Sequence, residues 1–187
     1  KNIYRKRGFL AGSDDERVAE LMAAFADPEV KAIFPGTGGY GTTRIIDKLD
    51  YDVIRKNPKI LIGFSDITGL HIAIHQQTGL VTFHSPNPEW GLGSDDGLMP
   101  FAAHWFWRAI LATDDFPSLL GRGQGWVQHN ADTIGYTIFS HPAKNSNLDD
   151  KLFDDVPRPV TLHGGKARGP LIGGNLSVIQ AMMGSPY

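Results

Sequence analysis

Apolar positions along this chain alternate between two periods. Val18, Leu21, Met22 and Phe25 recur at helical spacing. Ahead of them, Ser13-Asp14-Asp15-Glu16 carries the serine and glutamate of a capping box, so a helix is predicted over residues 14–26. Asp27-Pro28 ends it. Residues 30–34 form a short apolar run of strand length, which opens into a glycine-rich loop, Gly36-Thr37-Gly38-Gly39-Tyr40-Gly41. A second helix is predicted over residues 42–49, and the polar residues 50–58 read as a connection. A second apolar run, residues 59–63, meets a corner at Phe64-Ser65-Asp66 and a helix over 67–77. Residues 80–84 read as a third strand, 85–89 as a turn-rich exit and 98–112 as a helix.

Strand, loop, helix, repeated, is the rhythm of an α/β fold with a parallel sheet. In such a sheet the ligand site lies at the carboxyl ends of the strands. The glycine loop and Ser65 both fall at such ends. From about Thr113 the texture changes: Asp, Gly, Pro and Ser become dense, and residues 126–129, 133–139 and 160–163 look like short strands. This suggests a boundary near residues 115–128, with an N-terminal domain over 1–120 and part of a smaller β-rich C-terminal domain over 121–187. In the tail, Gly173-Gly174-Asn175 forms a corner before a helix from Leu176, with Asn175 as its N-cap.

Composition narrows the function. The net charge of −2 offers no basic footprint, which argues against a nucleic-acid partner. The chain has no cysteine, which excludes disulfides, thiolate metal sites and a cysteine nucleophile. No apolar run reaches the ~18 residues of a membrane span, and no membrane partner is expected. The absence of an initial Met and the stop just after a helix read as a piece of a longer protein. The expected compartment is the cytoplasm, or the periplasm if a signal peptide precedes Lys1.

Ser65 sits where a strand stops and a helix starts. Such a corner lifts a hydroxyl out of the sheet and aims the next N–H at a developing oxyanion. The nucleophile elbow usually has small residues two before and two after the serine. Gly63 supplies the first, but Ile67 stands in place of the second. On spacing alone, Ser65 is either a nucleophile or a helix N-cap, with Asp66 favouring the first turn through the helix dipole. The loop at residues 36–41 fits G-x-G-x-x-G, and Asp66 lies where a ribose-binding acid would follow. A nucleotide-binding module is thus a reading from a different class. The same loop can equally present N–H groups to an oxyanion. His71 and His75 lie at i, i+4 without an accompanying acid, and read as structural histidines rather than metal ligands. His84, at a strand end, and Tyr40, in the glycine loop, are candidate substrate contacts. Trp105, Phe106 and Trp107 read as packing residues.

Three motifs taken in order are more specific: GGYG in the loop, GFSD at the corner and GGNL in the tail. Together with the helix over GSDDERVAELMAAF, residues 8–88 and 158–187 resemble the LD-carboxypeptidase family of serine peptidases, which includes murein tetrapeptide carboxypeptidases and microcin-immunity peptidases. The resemblance implies a nucleophile at Ser65 and an oxyanion hole formed by the backbone N–H of Asp66 and of Gly38 or Gly39. It implies a Rossmann-like (flavodoxin-like) N-terminal domain beside a smaller β-rich C-terminal domain, and acyl transfer on a small peptide without a metal or organic cofactor, often in a homodimer. The family's Ser-His-Glu triad takes its Glu and His from beyond the GGNL segment. No histidine of this chain occupies that place, and both residues are expected beyond Tyr187. A microcin-type amide hydrolase is the alternative on the same scaffold.

Overall fold

The computed structural model describes residues 4–93, 97–98, 100–111, 164 and 172–187. The chain divides into two compact units, one built from Lys1–Pro88 and Leu171–Tyr187, the other from Glu89–Pro170.

The first unit is an α/β arrangement. Its sheet has three parallel strands in the order β1 (Ala32–Ile33), β2 (Ile60–Gly63), β3 (Phe83–His84). Ala32 pairs with Ile60, and Gly63 with His84. Being central, β2 is buried along most of its length, and its sequence Ile-Leu-Ile-Gly is the unbroken apolar run that a parallel strand covered on both faces requires. The strands are shorter than the apolar runs that announced them: β2 and β3 keep their expected carboxyl ends at Gly63 and His84 and are shortened at their starts.

Helix α1 (Asp14–Ala26) starts with the capping box expected from the sequence. The Glu16 N–H donates to the Ser13 hydroxyl at 3.2 Å, and the Ser13 N–H donates to Glu16 Oε2 at 2.8 Å. Its apolar face brings Phe25 into a core shared with Ile54, Leu61, Ile67, Leu70, Ile74 and Met182. Helix α3 (Thr68–Thr78) follows the serine corner and ends at Gly79, whose φ of +74° suits glycine.

Two sequence expectations are corrected here. Residues 42–49 are not an α-helix but two 3-10 turns, Thr42–Arg44 and Ile46–Lys48. Burying Ile45, Ile46 and Leu49 while Thr42 bonds to the serine corner fixes this segment from outside, and its local helix propensity yields. Residues 50–58 are not a plain connection: Tyr51–Lys56 form helix α2. The Asp50 carboxylate accepts from the N–H groups of Asp52 and Val53, and Ile54 is fully buried.

Helix α5 (Leu176–Met182), assigned by sequence texture to the later region, packs on α3 within the first unit. Asn175 caps it, accepting from the Val178 N–H at 3.2 Å. In the second unit, helix α4 (Pro100–Leu111) matches the helix expected over 98–112. It opens on Pro100, a residue suited to a first helical turn. Phe106 is buried there, edge-on to Trp107 at 4.9 Å. The strands expected at 126–129, 133–139 and 160–163, and the boundary near 115–128, lie outside the described residues. Among the described residues, no helix is long and apolar enough to cross a membrane.

Candidate active site

The corner after β2 bends sharply at Ser65, whose φ of +59° makes it the one non-glycine residue with a left-handed backbone among the described residues. A serine gains nothing locally from that conformation, which costs roughly 1–3 kcal/mol. Surrounding structure must hold it there. Ser65 is half-buried, while every residue from Asp66 to His71 is buried. Ser65 is thus the last partly exposed residue before the chain enters the core.

Ile67, which broke the small-residue pattern, has a place. A Cβ on Gly63 would stand 2.7 Å from Ile67 Cγ2. The Ile67 side chain fills the space that the missing Gly63 side chain leaves, so one small residue suffices.

The glycine loop comes directly over this corner. A Cβ on Gly38 would lie 2.7 Å from Ser65 Cβ, 3.1 Å from the Phe64 carbonyl oxygen and 3.2 Å from Ser65 Oγ. Only a glycine lets the backbone approach that closely. Gly39, with φ +92°, lies exposed beside it. The far end of the loop is tied down twice. Arg17 of α1 donates to the Gly41 carbonyl through Nη1 and Nη2, each at 3.2 Å, while Asp14 accepts from Arg17 at 2.6 Å and from Arg44 at 2.7 Å. Hydrogen bonds from Arg44 and then Arg17 lower the Asp14 pKa to about 2. Next along the chain, the Thr42 N–H donates to Asp66 Oδ2 at 2.9 Å, and the Thr42 hydroxyl donates to the Asp66 carbonyl at 2.6 Å.

The GGN segment arrives from the other side. Its Asn175 N–H donates to the hydroxyl of Thr68, the first residue of α3, at 2.8 Å. A Cβ on Gly174 would lie 2.5 Å from both Thr68 Oγ1 and Cγ2. Three motifs that the sequence separates by up to 137 positions, Gly38 to Asn175, therefore meet around one turn of backbone.

The histidines play other parts. The Gly63 carbonyl accepts from the Ser85 N–H at 2.9 Å and from His71 Nε2 at 3.1 Å. A carbonyl can only accept, so the proton sits on Nε2 and Nδ1 is left as an acceptor. That Nδ1 is buried without a partner among the described residues. Burial is the largest influence on this imidazole and takes its pKa down to about 4, helped by nearby His84 and opposed by the bond to Gly63. His75 binds the Leu80 carbonyl through Nδ1 at 3.3 Å. His84 is solvent-exposed, yet its ring is flanked by Phe64 at 5.9 Å and His71 at 6.0 Å, and this partial desolvation lowers its pKa. Among the described residues, no histidine hydrogen-bonds the Ser65 hydroxyl, and no cluster of metal-ligating residues occurs. Tyr40 is 63% exposed and meets Phe9 ring to ring at 5.8 Å.

The sequence reading missed Thr42, Arg17 and Thr68. The first two lie 24 residues from their partners, Thr68 107 residues from its partner, and a lone threonine or arginine carries no local signal of such a bond.

Known proteins share this arrangement. Residues 1–85 match the family model of the LD-carboxypeptidase N-terminal domain. The whole chain is 38% identical to a probable murein peptide carboxypeptidase of Bacillus subtilis, of which it covers 47%. It is 29% identical, over 96% of its length, to the microcin C7 self-immunity protein MccF of Escherichia coli, covering 49% of that protein. A solved structure of MccF without ligand superposes with a TM-score of 0.71 at 26% identity, over 98% of this chain and 52% of the other. MccF has also been solved with aspartyl sulfamoyl adenosine. The chain thus spans about half the length of the curated relatives it matches. On the match to the family model, residues 1–85, which contain both the glycine loop and the serine corner, are an N-terminal domain of the LD-carboxypeptidase family.

Proposed function

We propose that the intact protein is a serine carboxypeptidase that hydrolyses an L,D peptide bond near the carboxyl end of murein-type peptides. The observation that carries this reading is the left-handed, half-buried Ser65 facing the backbone of Gly38. A strained serine costs stability and is kept where its hydroxyl is used.

In this mechanism Ser65 Oγ attacks the scissile carbonyl and its proton passes to a base. The N–H groups of Asp66 and of Gly38 or Gly39 take the charge of the tetrahedral intermediate. The C–N bond then breaks, the amine leaves with the proton, and water hydrolyses the acyl-enzyme. His71 is unsuited to be the base, since its Nε2–H is committed to Gly63 and its Nδ1 is buried. By resemblance to the LD-carboxypeptidase family, the base and its orienting acid are assigned to a His and a Glu expected beyond Tyr187. The substrate partner is a small peptide, Tyr40 and His84 are assigned to its outer contacts, and the assembly is a homodimer. Acyl transfer of this kind needs no metal. The cytoplasm is the proposed compartment and the periplasm its alternative, which cell fractionation separates.

The test is Ser65→Ala in the intact protein. Release of the terminal D-residue from a murein tetrapeptide should vanish with the fold unchanged, and retained turnover would sink the proposal. The likeness to MccF supports a second reading, cleavage of an aminoacyl-nucleotide conjugate at the same serine. Assaying such a conjugate beside the tetrapeptide separates the two. A nucleotide-binding module built on residues 36–41 is disfavoured because Gly38 is spent on Ser65. Saturable NAD(H) binding in calorimetry would revive it.

A further inference from the structure

We propose that Thr42 is a positioning residue for the reaction, holding the glycine loop at a fixed height over Ser65 through its paired hydrogen bonds to Asp66. This inference rests on the carboxypeptidase reading and adds a residue to it. In that reading, one oxyanion donor sits on the loop and the other is the N–H of Asp66. The two donors belong to chain segments that meet nowhere in sequence. Catalysis by such donors depends on their mutual distance, because they must converge on one oxygen.

Thr42 couples the two segments twice over. Its N–H reaches the Asp66 side chain at 2.9 Å and its hydroxyl reaches the Asp66 carbonyl at 2.6 Å, so main chain and side chain of each residue are engaged. Both residues are buried, Thr42 at 5% and Asp66 at 6% exposure, where water cannot replace a lost bond and hydrogen bonds resist distortion. The hydroxyl is also set against α3: a Cβ on Gly69 would lie 2.5 Å from Thr42 Oγ1. Thr42 directly follows Gly41, the residue that Arg17 holds by its carbonyl. The loop is thus clamped by a side chain from α1 at one residue and by the serine corner at the next. The first clamp fixes the loop to the scaffold, and the second fixes it to the nucleophile's own turn. The Asp66 carboxylate consequently serves the loop, and the same residue's N–H serves the oxyanion.

The experiment compares Thr42→Val and Thr42→Ser in the intact protein on a murein tetrapeptide. Valine keeps the shape and loses the hydroxyl, and serine keeps the hydroxyl. A loop displaced by a fraction of an ångström should lower kcat about 10- to 100-fold, with KM within about twofold. A peptide boronic acid that forms a tetrahedral adduct should lose affinity by a similar factor, and serine should recover most of both losses. A merely structural threonine would change the melting temperature without this split. Unchanged kcat in Thr42→Val, or KM rising in step with the loss, would overturn the inference. If Thr42→Val does not fold, Asp66→Ala carries the same comparison. It keeps the backbone N–H assigned to the oxyanion and removes the side-chain acceptor of the Thr42 N–H, so kcat and boronate affinity should fall together. Persistent turnover in Ser65→Ala condemns the carboxypeptidase reading itself. Ser65-dependent turnover that ignores both Thr42→Val and Asp66→Ala condemns only the clamp.

Discussion

His71 should make the stability of this fold depend on pH well above the range in which carboxylates titrate. Its imidazole lies beneath the serine corner, donating Nε2–H to Gly63 and burying Nδ1. In the unfolded chain it titrates at the ordinary value of 6.5, and in the fold at about 4. The unfolded state therefore takes up the proton first as pH falls. Stability is fully present above about pH 6.5, declines between 6.5 and 4, and loses nothing further from this group below that. A gap of this size at 1.36 kcal/mol per pKa unit amounts to about 3 kcal/mol, a large share of the roughly 5–15 kcal/mol that holds a domain folded. The perturbation that isolates it is His71→Gln, whose amide can still donate to the Gly63 carbonyl but cannot charge. Urea unfolding of both proteins, at intervals from pH 7 to 4, gives the two stability curves. His84 and the carboxylates affect both alike, so the difference curve reports His71. It should change by about 3 kcal/mol across that window, in favour of the glutamine variant at the acid end. A flat difference curve would refute the account, because it would mean that the imidazole is as easily charged in the fold as in water.

Two glycines carry equally specific expectations. Gly63→Ala would press a Cβ to 2.7 Å from Ile67 Cγ2 and should cost about 1–3 kcal/mol of overpacking. In an Ile67→Ala background the same change should cost much less, and a double-mutant cycle by denaturant unfolding showing no coupling would exclude this contact as the cause. Gly174→Ala adds a Cβ 2.5 Å from Thr68 at a φ of +150°. It should break the Asn175-to-Thr68 hydrogen bond, seen as faster hydrogen exchange at the Asn175 amide, and an unchanged exchange rate there would contradict the packing described.

What the sequence made legible is what short-range chemistry decides. The capping box of α1, the cap at Asn175 and the strand-to-helix corner at Ser65 each depend on residues within four positions of one another, and all three are found where expected. Helix α2 escapes a reading by period because Tyr51, Val53 and Ile54 alone mark its apolar side, too few for a period to emerge. Its cap, Asp50, and its acid-to-base gradient from Asp52 to Arg55 and Lys56 were the available signals. Residues 42–49 failed for the opposite reason. Their local pattern is helical, but Thr42 is fixed by Asp66 and Ile45, Ile46 and Leu49 by the core. Tertiary bonds that span 24 residues outrank a propensity of a few tenths of a kcal/mol per residue.

Ile67 is likewise placed by its tertiary surroundings. A nucleophile elbow is strained because the chain reverses within one residue, which brings the positions two before and two after the serine into contact. The usual pattern makes both small. The steric requirement concerns their sum, and here Gly63 gives up its entire side chain while Ile67 uses the space and enters the core. The isoleucine then does something a second glycine could not. It anchors the first turn after Ser65 in the cluster of Leu61, Leu70 and Ile74, while the Thr42–Asp66 bonds hold the same turn. The left-handed serine is thus held by packing and by hydrogen bonds together. A corner of this kind should lose its geometry when either is removed, and the Gly63 and Thr42 substitutions remove them separately.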